Sequence, residues 1–366
     1  MGSDPVIFIR TDSNEKIAAG HMVRCFSVAE ALLPHRKVCF LVSCEQSLRL
    51  LERLFTPETS CPVRLLQTGT PEEPEKELEE LCLILQEAGD CVLLVDSYFV
   101  TEHYLRSLRR LAPIAYIDDL QLFSYPVDLV CNYDILPKEE LSRCLTFYDQ
   151  AEKVLLGGDY APLRRQFVRG LPTLRPQVGH LLLTTGGSDP FFFSEELLET
   201  LPSHLPQSLH YHVVAGRYYT NKNTLRHLCE RSESFHYYED LRDMAAVMSQ
   251  CDLAVCAAGT TLYELCALGI PAVCFTMADN QLSAAKAFAR SGAVVYAGDL
   301  RERGSGNRDE GSQDTLMAAI LQFLRDMCRQ FRLREEAAMC MHRLVDGGGA
   351  GRIARALIRL ADKTDP

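Results

Sequence analysis

A histidine at the start of a predicted helix has the most suitable position for proton transfer. His21 stands in the segment Gly20-His21-Met22-Val23-Arg24, which follows a polar loop after the first predicted strand. Because a helix N-terminus disfavours imidazolium, a histidine there stays neutral near pH 7 and can accept a proton. The same position also suits a capping or surface histidine. Arg24 suits either phosphate binding or the shielding of a helix face.

Two later loops have the composition of anion-binding sites. The glycines of Gly186-Gly187-Ser188 follow a strand and let backbone amides approach a phosphate, although a plain turn with an Asp-Pro cap fits as well. The segment Gly259-Thr260-Thr261 opens a helix, and Glu264 follows one turn inside it. Such a helix start can receive a diphosphate while Glu264 binds ribose hydroxyls; a capping-box glutamate is the alternative. Asn280 and Gln281 add polar groups after a further strand.

Acidic side chains end two strands of the first half of the chain. Asp96 and Tyr98 follow the fourth predicted strand, and Asp118 and Asp119 follow the fifth. Ligands of open α/β sheets bind at the carboxyl ends of the strands, so these groups are expected to face a cleft. Adjacent acids point in different directions and often form turns, which favours a structural role for at least one of Asp118 and Asp119.

Two series of short β-branched runs, among them 92–95 in the first and 253–256 and 293–296 in the second, alternate with helical patterns and predict two parallel sheets. A length of 366 residues also favours two domains, since a domain core typically takes about 150 residues. The predicted organisation is an N-terminal domain at 1–157, a proline-containing linker at 158–178 and a second domain at 179–345. A C-terminal helix lies at 346–366, and packing on the N-terminal domain is one arrangement for it. The polar segment 301–314 predicts a surface loop.

Composition excludes several function classes. The net charge of -11 removes the electrostatic basis for nucleic-acid binding, and no long apolar run predicts membrane insertion. The 15 cysteines lack metal-type pair spacing and an even disulfide framework, which is typical of a cytoplasmic protein without a metal site. No Walker lysine pattern, zinc-type histidine pair or nucleophile elbow occurs. We therefore expect no cofactor.

Several motifs together resemble one family of nucleotide-sugar enzymes. Their order and spacing are similar to the UDP-2,4-diacetamido-2,4,6-trideoxy-β-L-altropyranose hydrolases of pseudaminic acid biosynthesis and to related spore-coat polysaccharide proteins. The motifs are Ala18-Ala19-Gly20-His21-Met22-Val23-Arg24-Cys25, Asp96-Ser97-Tyr98, Ile117-Asp118-Asp119, Gly158-Asp159-Tyr160-Ala161-Pro162-Leu163-Arg164, Gly186-Gly187-Ser188-Asp189-Pro190 and Ala258-Gly259-Thr260-Thr261-Leu262-Tyr263-Glu264.

The resemblance implies the GT-B fold, in which two Rossmann-like domains face each other across a cleft and the C-terminal one holds UDP. It implies hydrolysis without a metal, with His21 as the base and the Thr260-Thr261 helix start as the UDP site. Positions Tyr98, Arg164 and Asn280 match substrate-facing positions of the family. Two features depart from its pattern: Ala18 replaces a glycine, and insertions occur around 72–80 and 301–314.

The sequence therefore predicts an enzyme that releases UDP from a UDP-sugar substrate by water attack at the anomeric carbon. Attack at phosphorus stays open. So do two other functions: a GT-B glycosyltransferase that uses a UDP-sugar donor, and a protein that binds nucleotide sugars without catalysis. Protein partners are not predicted.

Overall fold

The computed structural model describes residues 5–363, with the exception of 15, 16, 18, 172, 240 and 304–314. Ala18 and most of the predicted 301–314 loop therefore lie outside the described residues. The chain forms two compact units, Met1–Arg165 with Gly347–Pro366 and Gln166–Asp346. The division between Arg165 and Gln166 falls inside the segment 158–178.

A seven-stranded parallel sheet forms the centre of the first unit. Its strands are β1 Val6–Thr11, β2 Lys37–Val42, β3 Val63–Leu65, β4 Cys91–Asp96, β5 Ile114–Ile117, β6 Leu129–Asn132 and β7 Lys153–Leu156. They pair in the order β3-β2-β1-β4-β5-β6-β7. The helices between them are α1 Gly20–Leu32, α2 Glu45–Leu54, α3 Leu78–Ala88, α4 Glu102–Arg109 and α5 Lys138–Phe147. Helices cover both faces, so β1 and β4 are apolar almost throughout.

The second unit repeats this architecture with six parallel strands. They are β8 His180–Thr184, β9 His210–Ala215, β10 Phe235–Glu239, β11 Leu253–Ala257, β12 Ala272–Thr276 and β13 Val295–Asp299. The strand order is β10-β9-β8-β11-β12-β13. Its helices are α6 Phe193–Thr200, α7 Lys222–Cys229, α8 Met244–Met248, α9 Thr260–Leu268, α10 Asp279–Arg290, α11 Thr315–Arg329 and α12 Phe331–Leu344.

The last helix, α13 Gly349–Ala361, belongs to the first unit. Its apolar residues, among them Ile353 and Leu357, join the core that α1 forms with the sheet. Gly349 begins the helix where a Cβ would stand 2.2 Å from the carbonyl oxygen of Ala161. Only glycine permits this close approach, so the glycine-rich segment before α13 serves packing.

Four histidines cluster on one face of the second sheet. His180 Nδ1 lies 2.9 Å from His212 Nε2, and His210 Nδ1 lies 3.0 Å from His236 Nε2. His212 Nδ1 also lies 3.1 Å from the hydroxyl of Tyr238. Each pair needs one nitrogen as donor and one as acceptor, so the rings of the cluster hydrogen-bond to one another.

The surroundings of this cluster oppose protonation. Burial, the neighbouring histidines and Arg175 lower the pKa of His212 to about 4, and burial lowers the pKa of His180 and of His236 as well. Asp252 is the nearby carboxylate, but it pairs with Arg175 at 2.9 Å and accepts the backbone N–H of His180 at 2.9 Å. The Asp252 carboxylate is thus already bonded to groups other than the imidazole rings.

The second unit should become less stable as falling pH protonates His212. A histidine with a lowered folded pKa stabilises the fold above its unfolded pKa of about 6.5, and this contribution disappears as the pH falls toward about 4. We expect His212→Gln to remove about 1–2 kcal/mol of the pH dependence between about pH 7 and pH 4.5. Urea unfolding followed by circular dichroism measures it. The exposed His227→Gln is the control, and equal pH dependence in both variants and the parent would contradict the prediction.

Candidate active site

The chain changes direction across the first sheet between β1 and β4. It continues from β1 to β2 and β3 on one side, and from β4 to β5 on the other. Such a reversal opens a crevice at the carboxyl ends of the two strands, where ligands bind in sheets of this kind. Thr11 and Asp96, the last residues of the two strands, are paired in register. His21, the second residue of α1, follows β1 into the same region.

His21 and Asp96 form a buried pair at this crevice. His21 Nδ1 lies 2.6 Å from Asp96 Oδ1, and the residues are 4% and 1% exposed. An ionised carboxylate only accepts, so Nδ1 carries the proton and the lone pair of the imidazole form lies at Nε2. Nε2 is buried and has no hydrogen-bond partner among the described residues. The pair thus presents a basic nitrogen with a defined tautomer, as a general base requires.

Arg24 holds the carboxylate of this pair in its ionised form. Its Nε and Nη2 donate to Oδ2 and Oδ1 of Asp96 at 2.6 and 2.5 Å. Burial by itself would raise the pKa of Asp96, but Arg24 and His21 outweigh it and hold the pKa well below its usual range. Nη2 also lies 3.0 Å from His21 Nδ1, yet the shorter approach of Asp96 requires the proton on Nδ1.

The third guanidinium nitrogen of Arg24, Nη1, extends the network to the residues that follow β5 and β6. Nη1 donates to Asp119 at 2.9 Å and to the Tyr133 hydroxyl at 2.7 Å. The structure therefore shows Arg24 positioning groups inside the unit. A contact of Arg24 with substrate stays a prediction.

Tyr98 covers the histidine from the solvent side. Its ring meets that of His21 edge to face, with centroids 4.2 Å apart, and its hydroxyl donates to Asp119 at 3.2 Å. Burial, followed by the nearby Asp119 carboxylate, raises the pKa of the Tyr98 hydroxyl, so it remains protonated at neutral pH. Tyr98 is part exposed and can donate to a ligand only by leaving Asp119.

The two adjacent aspartates have different surroundings, as the sequence suggested. Asp118 is buried and accepts hydrogen bonds from the backbone of Leu120 and from the hydroxyls of Tyr125 and Tyr148. It shapes the turn after β5. Asp119 instead joins the Arg24 network.

A second buried ion pair supports the end of β1. Arg10 donates through Nε and Nη2 to both carboxylate oxygens of Glu77 at 2.6 and 2.8 Å, and Tyr104 donates to the same carboxylate at 2.7 Å. Glu77 is 0% exposed. The segment 72–80, which departs from the family pattern, therefore supplies the counter-ion for a buried arginine. Removing Arg10 would leave the Glu77 carboxylate buried without a cationic partner, whereas Arg10 also pairs with Asp12.

In the second unit the chain reverses between β8 and β11. Register pairs Thr184 with Cys256, and Ala257 with Phe275 of β12. The loops that follow these three neighbouring strands therefore share one edge of the sheet. The first loop contains Gly187 and Ser188. The second leads through Gly259 to Thr260 at the start of α9, and the third leads to Asn280 in the first turn of α10.

The glycine loop after β8 is a tight turn held by its neighbours. Gly186 has a φ of +83°, and a Cβ on Gly216 would stand 2.0 Å from the Gly186 carbonyl oxygen. Asp189 uses both carboxylate oxygens to accept the backbone N–H groups of Phe193 and Ser194, each at 2.9 Å. The Asp-Pro cap suggested as an alternative is thus present at α6, while Gly187 and Ser188 stay exposed.

The start of α9 has a different character. Its N-cap is Gly259, which has no side chain to cap the helix, and Thr260 and Thr261 are the first two helical residues. Glu264 is the fifth, whereas a capping box needs the acid at the third, which here is Leu262. The helix dipole and the first N–H groups make this end suitable for an anion.

Three other predicted residues have local surroundings of their own. Gln281 is the third residue of α10. Its Oε1 accepts the backbone N–H of Met277 at 2.8 Å, which fixes the loop that precedes the helix. Asn280 is exposed beside it. Arg164 lies near Glu30 of α1, where it and Arg165 oppose the burial that raises the pKa of that carboxyl. Substrate contacts of all three remain predictions.

Two general features of the described residues bear on chemistry and location. No group of three or more His, Cys, Asp or Glu among them has the arrangement to hold a metal ion. Within the same part of the chain, none of the helices is long and apolar enough to cross a membrane.

Comparison with known proteins defines the class first. Residues 181–303 match the glycosyltransferase family 28 C-terminal domain. The crystal structure of MurG from Acinetobacter baumannii superimposes with a TM-score of 0.63 at 17% identity, covering 98% of this chain and 100% of that one. Together with the two parallel sheets, this confirms a GT-B protein of two Rossmann-like domains.

Two relatives with named functions show which GT-B proteins this chain is similar to in sequence. The spore coat polysaccharide biosynthesis protein SpsG of Bacillus subtilis is 28% identical over 40% of this chain and 44% of its own length. A Helicobacter pylori protein, the pseudaminic acid cytidylyltransferase and UDP-2,4-diacetamido-2,4,6-trideoxy-beta-L-altropyranose hydrolase, is 28% identical over 36% of this chain and 23% of its own. These matches confirm the resemblance, and they span less than half the length of either relative.

Sequence reasoning did not recognise Asp96 as the partner of the histidine. The sequence placed Asp96 at a strand end and predicted His21 as a base at a helix start, but it did not link the two residues. The signal was present: in a parallel sheet, the first βα loop and the end of the next central strand meet at the reversal point. Strand order was needed to apply it.

Proposed function

We propose that the chain is a nucleotide-sugar hydrolase that releases UDP and a free diacetamido deoxy sugar from a UDP-sugar. The observation that carries the proposal is the His21–Asp96 pair, with its unpartnered, buried Nε2. The relatives named for polysaccharide and pseudaminic acid biosynthesis support the substrate class.

In the proposed reaction, His21 Nε2 takes a proton from water as the water oxygen attacks the anomeric carbon. The bond between that carbon and the diphosphate oxygen breaks, and the electron pair leaves with UDP. The sugar gains the hydroxyl with inversion. Asp96 stabilises the imidazolium that forms, while Arg24 keeps Asp96 ionised and in place.

The second unit supplies the nucleotide site in this proposal. The start of α9 receives the diphosphate, whose developing charge is stabilised by the helix dipole and by backbone N–H groups. Glu264 accepts hydrogen bonds from the ribose hydroxyls. Charge on UDP is thus stabilised without a cofactor.

A glycosyltransferase is the second candidate, because the same base could deprotonate an acceptor hydroxyl. Exposed apolar residues favour it: Phe99 follows β4, and Leu120 and Leu122 follow β5, at the edge of the sheet that holds the His21–Asp96 pair. Such a surface suits an apolar acceptor. Incubation with a panel of UDP-sugars and no acceptor, with UDP as the readout, separates the two. Release of UDP supports hydrolysis, and release only after an acceptor is added supports transfer.

Water labelled with heavy oxygen should place its label on the released sugar. Attack at carbon keeps the diphosphate oxygen on UDP, whereas attack at phosphorus adds a water oxygen to UDP. Mass spectrometry of both products measures the outcome. Label in UDP would refute attack at carbon and would leave the proposed nucleotide site unaffected. UDP incubated in the same labelled water without substrate is the control for exchange of its oxygens with water.

Replacement of Glu264 by Gln should weaken UDP binding by about 1–3 kcal/mol, because charge-assisted hydrogen bonds to the ribose are lost. Isothermal titration calorimetry measures this. Glu230→Gln is the matched control, since Glu230 ends α7 with a 62% exposed side chain. Equal UDP affinity in both variants would mean that Glu264 is only a structural residue of α9.

A further inference from the structure

Three exposed aromatic side chains flank the glycine loop of the second unit. Phe191 and Phe192 follow this loop directly and are 44% and 50% exposed, and Tyr218 is 68% exposed. The backbone N–H of Tyr218 donates to the Gly187 carbonyl at 2.9 Å. Its ring lies 3.9 Å from the position that a Cβ on Gly187 would take. We call these three side chains the aromatic rim.

Phe192 is held in a backbone conformation that disfavours its side chain. Its φ is 54° and its ψ is 28°, in the left-handed region, where among the described residues only one other non-glycine residue, Gln121, has positive φ. A bulky residue there is strained. Such strain persists where the surroundings enforce it, and it concentrates at ligand-binding sites.

Hydrogen bonds and packing of the neighbouring residues hold Phe192 in this backbone conformation. Phe192 donates its N–H to the Asp189 carbonyl at 3.2 Å, and the Asp189 carboxylate accepts from the next two residues, Phe193 and Ser194. Phe193 is buried against Phe275. The helix start is therefore anchored by Asp189 and Phe193, while the Phe192 side chain is half exposed. Folding alone does not call for phenylalanine at this position.

The rim lies next to the proposed nucleotide site. β8, which precedes the rim, is the direct neighbour of β11, which precedes α9. In the proposed function the diphosphate binds at the start of α9 and the ribose at Glu264, one turn inside that helix. The loop after β8 is then beside the diphosphate, to which the sugar is attached.

We propose that the aromatic rim binds the sugar of the nucleotide sugar, through contact of its rings with the C–H face and the acetamido and deoxy methyl groups. Aromatic faces pack well against such apolar surfaces, and this packing does not require hydrogen bonds from sugar hydroxyl groups. This inference rests on the proposed function and adds the part of the site that selects the sugar.

The test uses steady-state kinetics of the full chain with UDP-2,4-diacetamido-2,4,6-trideoxy-β-L-altropyranose, and inhibition by UDP as the measure of nucleotide affinity. Phe192→Asn removes the ring and tolerates the left-handed conformation, so this variant should fold with an unchanged or higher melting temperature. Phe192→Tyr retains the ring. Phe331→Ala is the control, an exposed aromatic residue at the start of α12.

We expect Phe192→Asn to raise KM at least about fivefold while the inhibition constant of UDP stays within about twofold; fivefold corresponds to about 1 kcal/mol. Phe192→Tyr and Phe331→Ala should match the parent. An unchanged KM in Phe192→Asn, or an equal rise in KM and in the UDP constant, would overturn the rim as a sugar site. A parent that neither turns over this substrate nor responds to UDP would refute the proposed function itself.

Discussion

The variant His21→Asn is expected to lose about a hundredfold to ten-thousandfold in kcat, the usual contribution of a general base. The loss should appear in kcat because Nε2 accepts its proton only in the transition state. UDP affinity should change little, since the nucleotide contacts assigned here lie in the second unit. Steady-state kinetics and UDP calorimetry on the same preparation measure both quantities.

The structure also indicates that this variant should fold. Asp96 retains its two hydrogen bonds from Arg24 when the imidazole is removed, so the buried carboxylate is not left unpaired. His35→Asn is the control, because His35 is exposed just beyond the last turn of α1. A His21→Asn variant that binds UDP normally and turns over within about threefold of the parent would show that His21 is not the base.

Asp96→Asn should reduce kcat by a similar factor, about a hundredfold or more. An asparagine amide can donate to Nδ1 and so favour the tautomer with the proton on Nε2, which cannot accept another. The substitution also removes one of the two carboxylates that pair with buried Arg24, and loss of one partner of a buried pair costs about 3–5 kcal/mol of stability. Both effects are expected: lower kcat, and a lower free energy of unfolding.

A matched substitution separates these effects. Asp118→Asn changes another buried aspartate at the end of a neighbouring strand, where the carboxylate binds Tyr125 and Tyr148 rather than the histidine. It should lower stability and leave kcat near that of the parent at a temperature where the protein is folded. Equal losses of kcat in the two variants would show that Asp96 acts only through stability.

The proposed hydrolysis and the alternative transfer are chemically close. In both, a deprotonated oxygen, of water or of an acceptor hydroxyl, would attack the same carbon, and the start of α9 would stabilise the departing UDP. The two reactions would differ in the group that reaches Nε2 of His21. The exposed Phe99, Leu120 and Leu122 are the residues that we propose for binding of an apolar acceptor.

Much of the secondary structure could be predicted from sequence, because both sheets are parallel and covered by helices. Buried parallel strands appear as short, continuous β-branched runs, and the runs at 92–95 and 253–256 lie within β4 and β11. The helix start before His21 was also predictable. By contrast, the run predicted at 293–296 belongs to a strand that begins at Val295, where its edge position weakens the pattern.

The sequence by itself determined the two-domain α/β class, the strand and helix pattern, the helix starts at His21 and Thr260, and the loop that contains Gly187. These features depend on neighbours in the chain, through hydrophobic periodicity, glycine conformations and helix starts. Only the tertiary structure decided that Asp96 is the partner of His21, that Arg24 serves this pair, and that Glu77 neutralises Arg10. The physical reason is that the partners stand 67 to 75 residues apart and are joined by strand order. Periodicity shows that a strand exists, but not which strand lies beside it.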